Sequence, residues 1–246
     1  MNDIKDAWGH AYLNYYNGKP SFLVFERDDG FVNISPTAKD YFLSYKDWDV
    51  HEREAIKYAK DRCLDVGCGA GRAELYLQSK GFDSLGIDES PMAIKVCKLR
   101  GVKSARVLSH KRIRDLKGPF STVLLLWNGF ALLGSKTQAR DFLKDLEMIT
   151  SDDCNLIAES RDPYITDNLV HFAYHKRNLK RGRMPGQLRE RVRFMQYATD
   201  WFDALFASKR EVKEILAGTG WNVKRFIDSK HYKEDGRFIA IICKDR

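Results

Sequence analysis

Cys63-Leu64-Asp65-Val66-Gly67-Cys68-Gly69-Ala70-Gly71-Arg72 reads as a strand running into a glycine-rich turn that opens a helix. Glycine is required where the backbone turns tightly and must approach a ligand with no β-carbon in the way. The flanks decide which ligand. A dinucleotide fingerprint wants Gly or Ala at its third conserved position for close helix–sheet packing, and Arg72 stands there instead. Asp65 closes the strand. A carboxylate at that point repels a pyrophosphate but favours a ligand that carries an ammonium and a sulfonium.

Working outward, the next strand ends in Gly86-Ile87-Asp88-Glu89-Ser90, with Asp88 seventeen residues beyond Gly71. That spacing suits an acid bridging the two ribose hydroxyls of a nucleoside bound over adjacent strand tips, since a carboxylate can accept both protons. From residue 62 the pattern alternates strand and helix, the signature of a parallel sheet. Strands are expected at 63–66, 84–88, 105–109, 121–127 and 155–160, with helices beginning near Gly71, Pro91 and Lys136. Ser90 before Pro91 is an N-cap followed by proline at the first helical turn. After Ser160 the rhythm breaks. It resumes with a helix over 208–217 and two adjacent antiparallel strands, 221–228 and 237–243. Five parallel strands and a terminal antiparallel pair make a mostly parallel seven-stranded α/β sheet.

Asp65-Val66-Gly67-Cys68-Gly69-Ala70-Gly71 together with Gly86-Ile87-Asp88 resembles motifs I and II of class I, Rossmann-like S-adenosylmethionine-dependent methyltransferases. The resemblance runs from about Arg62 to Ser160, and the terminal helix and strand pair extend it to the C-terminus. It implies S-adenosylmethionine (SAM) as cofactor. In that family the glycine turn, here Asp65, Gly67, Cys68, Gly69 and Gly71, contacts the methionine moiety, and the acid matching Asp88, followed by Glu89, holds the ribose. The family often has an acid after the third strand, near the adenine. This chain departs from it with Leu108-Ser109-His110-Lys111, so Ser109, His110 or the backbone takes that place. The fourth strand ends Trp127-Asn128-Gly129-Phe130. This is neither the Asn-Pro-Pro-Tyr arrangement of base-amine methylation nor the Pro-Cys pair of cytosine C5 enzymes. Asn128 and Trp127 are expected to close the cofactor pocket, with core packing the other reading of Trp127.

The remaining segments divide the chain into an N-terminal extension, 1–60, and a cofactor-binding domain, 61–246, that carries an acceptor-site insertion over 161–207. In the extension, Trp8, Tyr12, Tyr15 and Tyr16 share one helical face, which serves as core or as a lid over the cofactor. Runs at 21–27 and 31–35 flank Asp28-Asp29-Gly30, a hairpin signal. A charged helix over 49–60 follows. The insertion begins at the rim where open α/β sheets bind ligands, with Arg161 and Tyr164, and adds His171 and His175 four residues apart. Either histidine can act as general base. No third ligand at sensible spacing accompanies the pair, so no metal is expected. From Lys176 to Arg193 stand eight Lys or Arg opposed by Glu190 alone.

The chain has 246 residues, 43% hydrophobic and 31% charged, enough for a core without staples. No apolar run approaches the roughly 18 residues of a membrane span, and the N-terminus lacks a signal-peptide pattern. A cytoplasmic protein is expected. Five scattered cysteines with no Cys-x-x-Cys pair fit a reducing compartment. The net charge of +8 favours anionic partners. A small methyl acceptor, with an anionic one favoured by that charge, is the first expectation. RNA binding by the basic insertion and a non-catalytic SAM-binding sensor or partner subunit stay open beside it.

Overall fold

A computed structural model describes residues 2–35, 38–231 and 236–245. Along the chain run α1 (Ala7–Tyr16), β1 (Leu23–Arg27), β2 (Val32–Ser35), α2 (Val50–Ala55), β3 (Arg62–Val66), α3 (Arg72–Ser79), β4 (Asp83–Asp88), α4 (Pro91–Leu99) and β5 (Ala105–Val107). There follow β6 (Phe120–Leu125), α5 (Lys136–Glu147), β7 (Thr150–Arg161), α6 (Leu169–Lys180), β8 (Gln187–Phe194), β9 (Tyr197–Ala198), β10 (Phe202–Leu205), α7 (Lys209–Leu216), β11 (Trp221–Asp228) and β12 (Arg237–Lys244).

The main sheet has seven strands in the order β11-β12-β7-β6-β3-β4-β5. β4 pairs with β5 in parallel, and β6 with β7. β12 runs antiparallel to both β7 and β11. The expected C-terminal pair is therefore present, but its reversed member lies inside the sheet, between β7 and β11. Burial follows from that place. Phe238 through Ile242 form a continuous buried run, whereas edge strand β11 mixes buried and exposed positions.

Local chemistry sets the helices. α5 buries Ala139, Phe142, Leu143 and Leu146, an i, i+3, i+4, i+7 stripe. α7 opens on a capping box, with Ser208 and Glu211 each satisfying the other's backbone amide. Ser90 caps α4 with proline in its first turn, as the sequence reading requires.

Several boundaries shift for local reasons. β6 stops at Leu125 because Trp127 and Asn128 both adopt left-handed backbone, at φ 56° and 58°. β5 ends at Val107, and β7 starts five residues early, at Thr150. The charged segment after Asp49 is α2 followed by a tighter 3-10 turn, Ile56–Tyr58. β8 and β9 are separated at Met195, whose φ is 51°.

A second sheet runs β10-β8-β1-β2, with β9 paired to β8. The hairpin forms where Asp28-Asp29-Gly30 stands, in register Leu23↔Ser35 to Glu26↔Val32. Its strand β1 also pairs with β8, Val24 opposite Arg193.

By compactness the chain resolves into two units. One comprises Met1–Trp48, Leu64–His110 and Arg189–Phe202. The other comprises Asp49–Cys63, Lys111–Leu188 and Asp203–Arg246. No helix among the described residues is long and apolar enough to cross a membrane.

Candidate active site

In the first unit, β3 runs into a turn whose three glycines, Gly67, Gly69 and Gly71, all have positive φ, at 75°, 54° and 79°. The amides of Gly67 and Cys68 both donate to Ile87 O, which ties the turn to β4. Gly71 is the N-cap of α3 and offers no side-chain cap to the first amides of that helix. A β-carbon on Gly71 would stand 2.7 Å from Val102 Cγ2. The position is closed to any larger residue both by backbone conformation and by space.

Asp88 clasps the loops after β3 and β4 together. Gly69 N–H donates to its Oδ2 at 3.0 Å, and Ser90 N–H donates to its Oδ1 at 2.9 Å. A carboxylate has about four lone-pair sites, so two remain for hydroxyl donors. Beside it, Glu89 gathers the next two sequence candidates. Ser109 Oγ donates to Glu89 Oε1, and His110 Nδ1 lies 3.5 Å from the same oxygen.

The site is acidic and dry. Asp65 is 4% exposed, and burial pushes its carboxyl up to about 7, with Asp88 adding to the rise and Arg72 opposing it. Burial likewise raises Asp88 to about 6 against the two amides that hold it, and Glu74 to about 8, where Asp65 adds to the push. Three carboxyls thus share one neighbourhood with Arg72, itself buried under the Trp48 ring at 4.8 Å. Such a cluster binds protons in place of a cation, and a cationic ligand would displace them.

The N-terminal segment forms a wall of this site. Tyr12 is buried with Ala38, Ala70, Ala93 and Val96, and Trp8, Tyr15 and Tyr41 pack against that cluster. A β-carbon at Gly69 would lie 3.5 Å from the Tyr12 hydroxyl and 3.6 Å from the Tyr41 ring. Tyr16 instead is exposed and donates to Leu99 O. Arg100, which the sequence reading passed over, donates to Ala70 O, Phe42 O and Tyr41 O, at 2.5, 3.2 and 3.4 Å. It fastens the aromatic segment to the glycine turn. An arginine near a helix end carries no sequence signal for that role.

The second unit holds the other candidates. Trp127 N–H donates to Glu159 Oε2 at 2.9 Å, and the Trp127 ring lies 5.0 Å from the Arg237 guanidinium. Arg237 Nε stands 3.6 Å from Glu159 Oε1, with Glu159 fully buried. Asn128 Oδ1 is buried with no hydrogen-bond partner among the described residues. Neither Glu159 nor Arg237 was singled out from sequence, because they meet only through the β7–β12 pairing.

In the insertion, Arg161 stacks over Phe206 at 4.2 Å. Tyr164 donates to Glu211 at 2.8 Å. His171 and His175 both lie on α6, as their spacing requires. His171 Nδ1 is 2.9 Å from Thr166 Oγ1, while His175 packs between the Tyr164 and Phe172 rings. Tyr164, His175, Lys176, Arg183 and Arg210 are among the residues lining a groove of about 540 Å³ beside α6 and α7. No group of three His, Cys, Asp or Glu among the described residues is placed to hold a metal. The five cysteines are free thiols.

Residues 36–117 match the family described as Tellurite resistance protein TehB. A SAM-dependent methyltransferase from Bacteroides fragilis, solved in complex with S-adenosyl-L-homocysteine, superposes with a TM-score of 0.84 at 25% identity. That match covers 100% of this chain and 98% of the other. A SAM-dependent methyltransferase from Methanosarcina mazei superposes at 0.60 with 15% identity, covering 80% and 99%. A TehB-like SAM-dependent methyltransferase from Corynebacterium glutamicum does so at 0.53 with 15% identity, covering 81% and 91%. These last two speak to the fold alone. No protein of curated function matches by sequence. The strand order, the glycine turn and these matches together make the chain a class I, Rossmann-like S-adenosylmethionine-dependent methyltransferase.

Proposed function

We propose that the chain methylates a small anionic acceptor, binding SAM at the tips of β3 and β4 and taking the acceptor through its insertion, 161–207. The observation that carries the cofactor half is the Gly69–Asp88 hydrogen bond inside a buried acidic cluster, a donor set suited to a cationic nucleoside. Bound SAM supplies an electrophilic methyl group on sulfur. Gly67, Cys68, Gly69 and Gly71 leave room for its methionine end, and Asp65 balances the positive charge. Asp88 and Glu89 take the ribose, and Ser109 and His110 border the base. Trp127 and Asn128 close the pocket. The N-terminal aromatics act as a lid that excludes water from the sulfonium.

The acceptor half rests on charge. The groove beside α6 offers Lys136 and Lys176, while Arg210 there pairs with Glu214 and Glu211 is engaged by Ser208 and Tyr164. Tyr164 and His175 give it polar edges, with His171 and Arg161 as the neighbouring candidates of the insertion. A small anion is favoured over RNA because the basic run is partly neutralised. Arg191 and Arg193 pair with Glu26, and Arg183 pairs with Asp203. Incubating the protein with methyl-labelled SAM and cell extract, before and after nuclease treatment, tests this reading. Label should enter the small-molecule fraction and survive nuclease. Label lost on nuclease treatment transfers the reading to RNA, and binding without any labelling leaves a sensor.

Cofactor affinity should also depend on pH. SAM favours the ionised forms of Asp65 and Asp88, so its affinity should rise between pH 5 and 7, by up to about tenfold per unit. The folded chain holds protons on these acids that the unfolded chain has already released. Its stability without SAM should therefore fall as pH rises from about 4 to about 7. Calorimetry should detect proton release on binding near pH 6, and Asp65→Asn should flatten the dependence. A flat affinity in the wild type would remove the acidic cluster from cofactor binding.

A further inference from the structure

The groove beside α6 is lined entirely by residues of the second unit. From α6 come Phe172, His175, Lys176 and Leu179. Their i, i+3, i+4, i+7 spacing sets them along one face of the helix. That face is not the one α6 gives to the core. Tyr174 and Asn178 turn inward, whereas Phe172 and Leu179 are 38% and 60% exposed. Met184 and Pro185, in the connection from α6 to β8, and Ile215 of α7 extend the apolar wall. A cavity of about 540 Å³ with mostly apolar walls and a few polar groups has the size and lining of a small-molecule site.

The charges around it narrow the ligand. Four cations border the groove, Lys136, Lys176, Arg183 and Arg210. Asp203 holds Arg183 at 3.0 Å, Glu214 lies 3.5 Å from Arg210, and Glu211 adds a third acid. Three acids against four cations leave one net positive charge. Lys136 and Lys176 are the two cations of the four that make no ion pair among the described residues. They come from different walls, the first residue of α5 and the exposed face of α6. One surplus charge beside exposed apolar side chains is matched by one carboxylate on an apolar body. A polyanion would bring several charges against three acids and would leave Phe172 and Leu179 in water.

We propose that the groove binds a small carboxylic acid as its monoanion, with the apolar body against Phe172, Leu179 and Met184 and the carboxylate held by Lys136 and Lys176. This rests on the reading that the groove takes the methyl acceptor, and it narrows that acceptor from any small anion to an amphipathic monocarboxylate. The carboxylate is an anchor. An ammonium on a flexible stem selects charge more than geometry, so shape discrimination falls to the apolar walls. The Tyr164 hydroxyl already donates to Glu211, which leaves the lysines as the groups that tell an acid from its neutral analogue.

Calorimetry on the full chain with benzoate, 2-naphthoate and 4-methylpentanoate, each set against its primary amide, tests the assignment. At least one acid should bind about fivefold or more tightly than its amide, and less tightly as salt is raised. The double variant Lys136→Ala/Lys176→Ala should bring that acid to the affinity of its amide, and Lys176→Arg should keep most of the difference. Phe172→Ala should weaken acid and amide alike, which a merely basic surface would not show. The Met184 methyl signal in carbon NMR, identified by its loss in Met184→Leu, should shift on binding and so place the ligand in the groove. No acid bound, an acid no tighter than its amide, inorganic phosphate or tRNA bound more tightly at the same lysines, or an unshifted Met184 methyl overturns the proposal. If the double variant does not fold, Lys176→Gln and the Met184 signal decide it. Methyl labelling of cell extract separates this inference from the reading beneath it. A wild type that labels a small molecule while no acid binds removes the carboxylate and keeps the methyltransferase reading. Acids that bind with this pattern but do not slow labelling uphold the carboxylate site and remove the acceptor from it.

Discussion

Replacing Asp88 with alanine should raise the SAM dissociation constant about 10- to 150-fold, the equivalent of about 1.5–3 kcal/mol for lost hydrogen bonds to a charged group. The loss has two sources. The ligand's hydroxyls lose their acceptor, and the amides of Gly69 and Ser90 lose the carboxylate that holds both loops in place. Asp88→Asn separates the two, since an amide oxygen can still accept one backbone bond while the charge is gone. Gly71→Val should go further and abolish binding. Its backbone sits at φ 79°, and the new side chain would enter the space of Val102 and Cys97. Calorimetry is the measurement. Wild-type affinity in Asp88→Ala would remove this acid from the cofactor site.

The second large effect concerns Gly9 in α1. Asp6 caps α1 by accepting from Gly9 N–H, and its other oxygen accepts from Ser90 Oγ and Met92 N–H at the start of α4. One carboxylate therefore satisfies amides at two helix N-termini, where it also suits both helix dipoles. The two helices approach so closely that a β-carbon on Gly9 would overlap Ser90 Oγ and stand 2.6 Å from Met92 Cβ. Gly9→Val should cost about 2–4 kcal/mol through overpacking and the loss of these caps. For a chain of this size that lowers the melting temperature by roughly 5–15 °C. It should weaken SAM binding as well, because Tyr12 lies one turn further along the same helix and packs beside Gly69. Thermal unfolding in the presence and absence of SAM reads both effects. A stable Gly9→Val protein with wild-type affinity would show that α1 is neither docked as described nor needed over the turn.

Much of the fold was legible because its signals are local. The glycine turn, the Ser90-Pro91 cap and the Asp28-Asp29-Gly30 hairpin each act within a few residues of one another, so spacing alone carries them. Strand ends were less legible. The left-handed pair Trp127 and Asn128 ends β6 inside an apolar run that reads as strand, since strain at a site leaves no mark in hydrophobic pattern.

By itself the sequence determined a cofactor-binding α/β sheet, because a phosphate-free cationic nucleoside demands glycines and acids at set distances along the chain. It left the acceptor side undetermined. Only tertiary structure put β12 between β7 and β11, which brings Arg237 against Glu159, and only tertiary structure joined β1 of the N-terminal hairpin to β8 of the insertion. It likewise set Asp49 against Ser229, 180 residues away along the chain. The physical reason is common to all three: a contact between residues far apart in sequence depends on strand order and register, and no pattern within a short window encodes either.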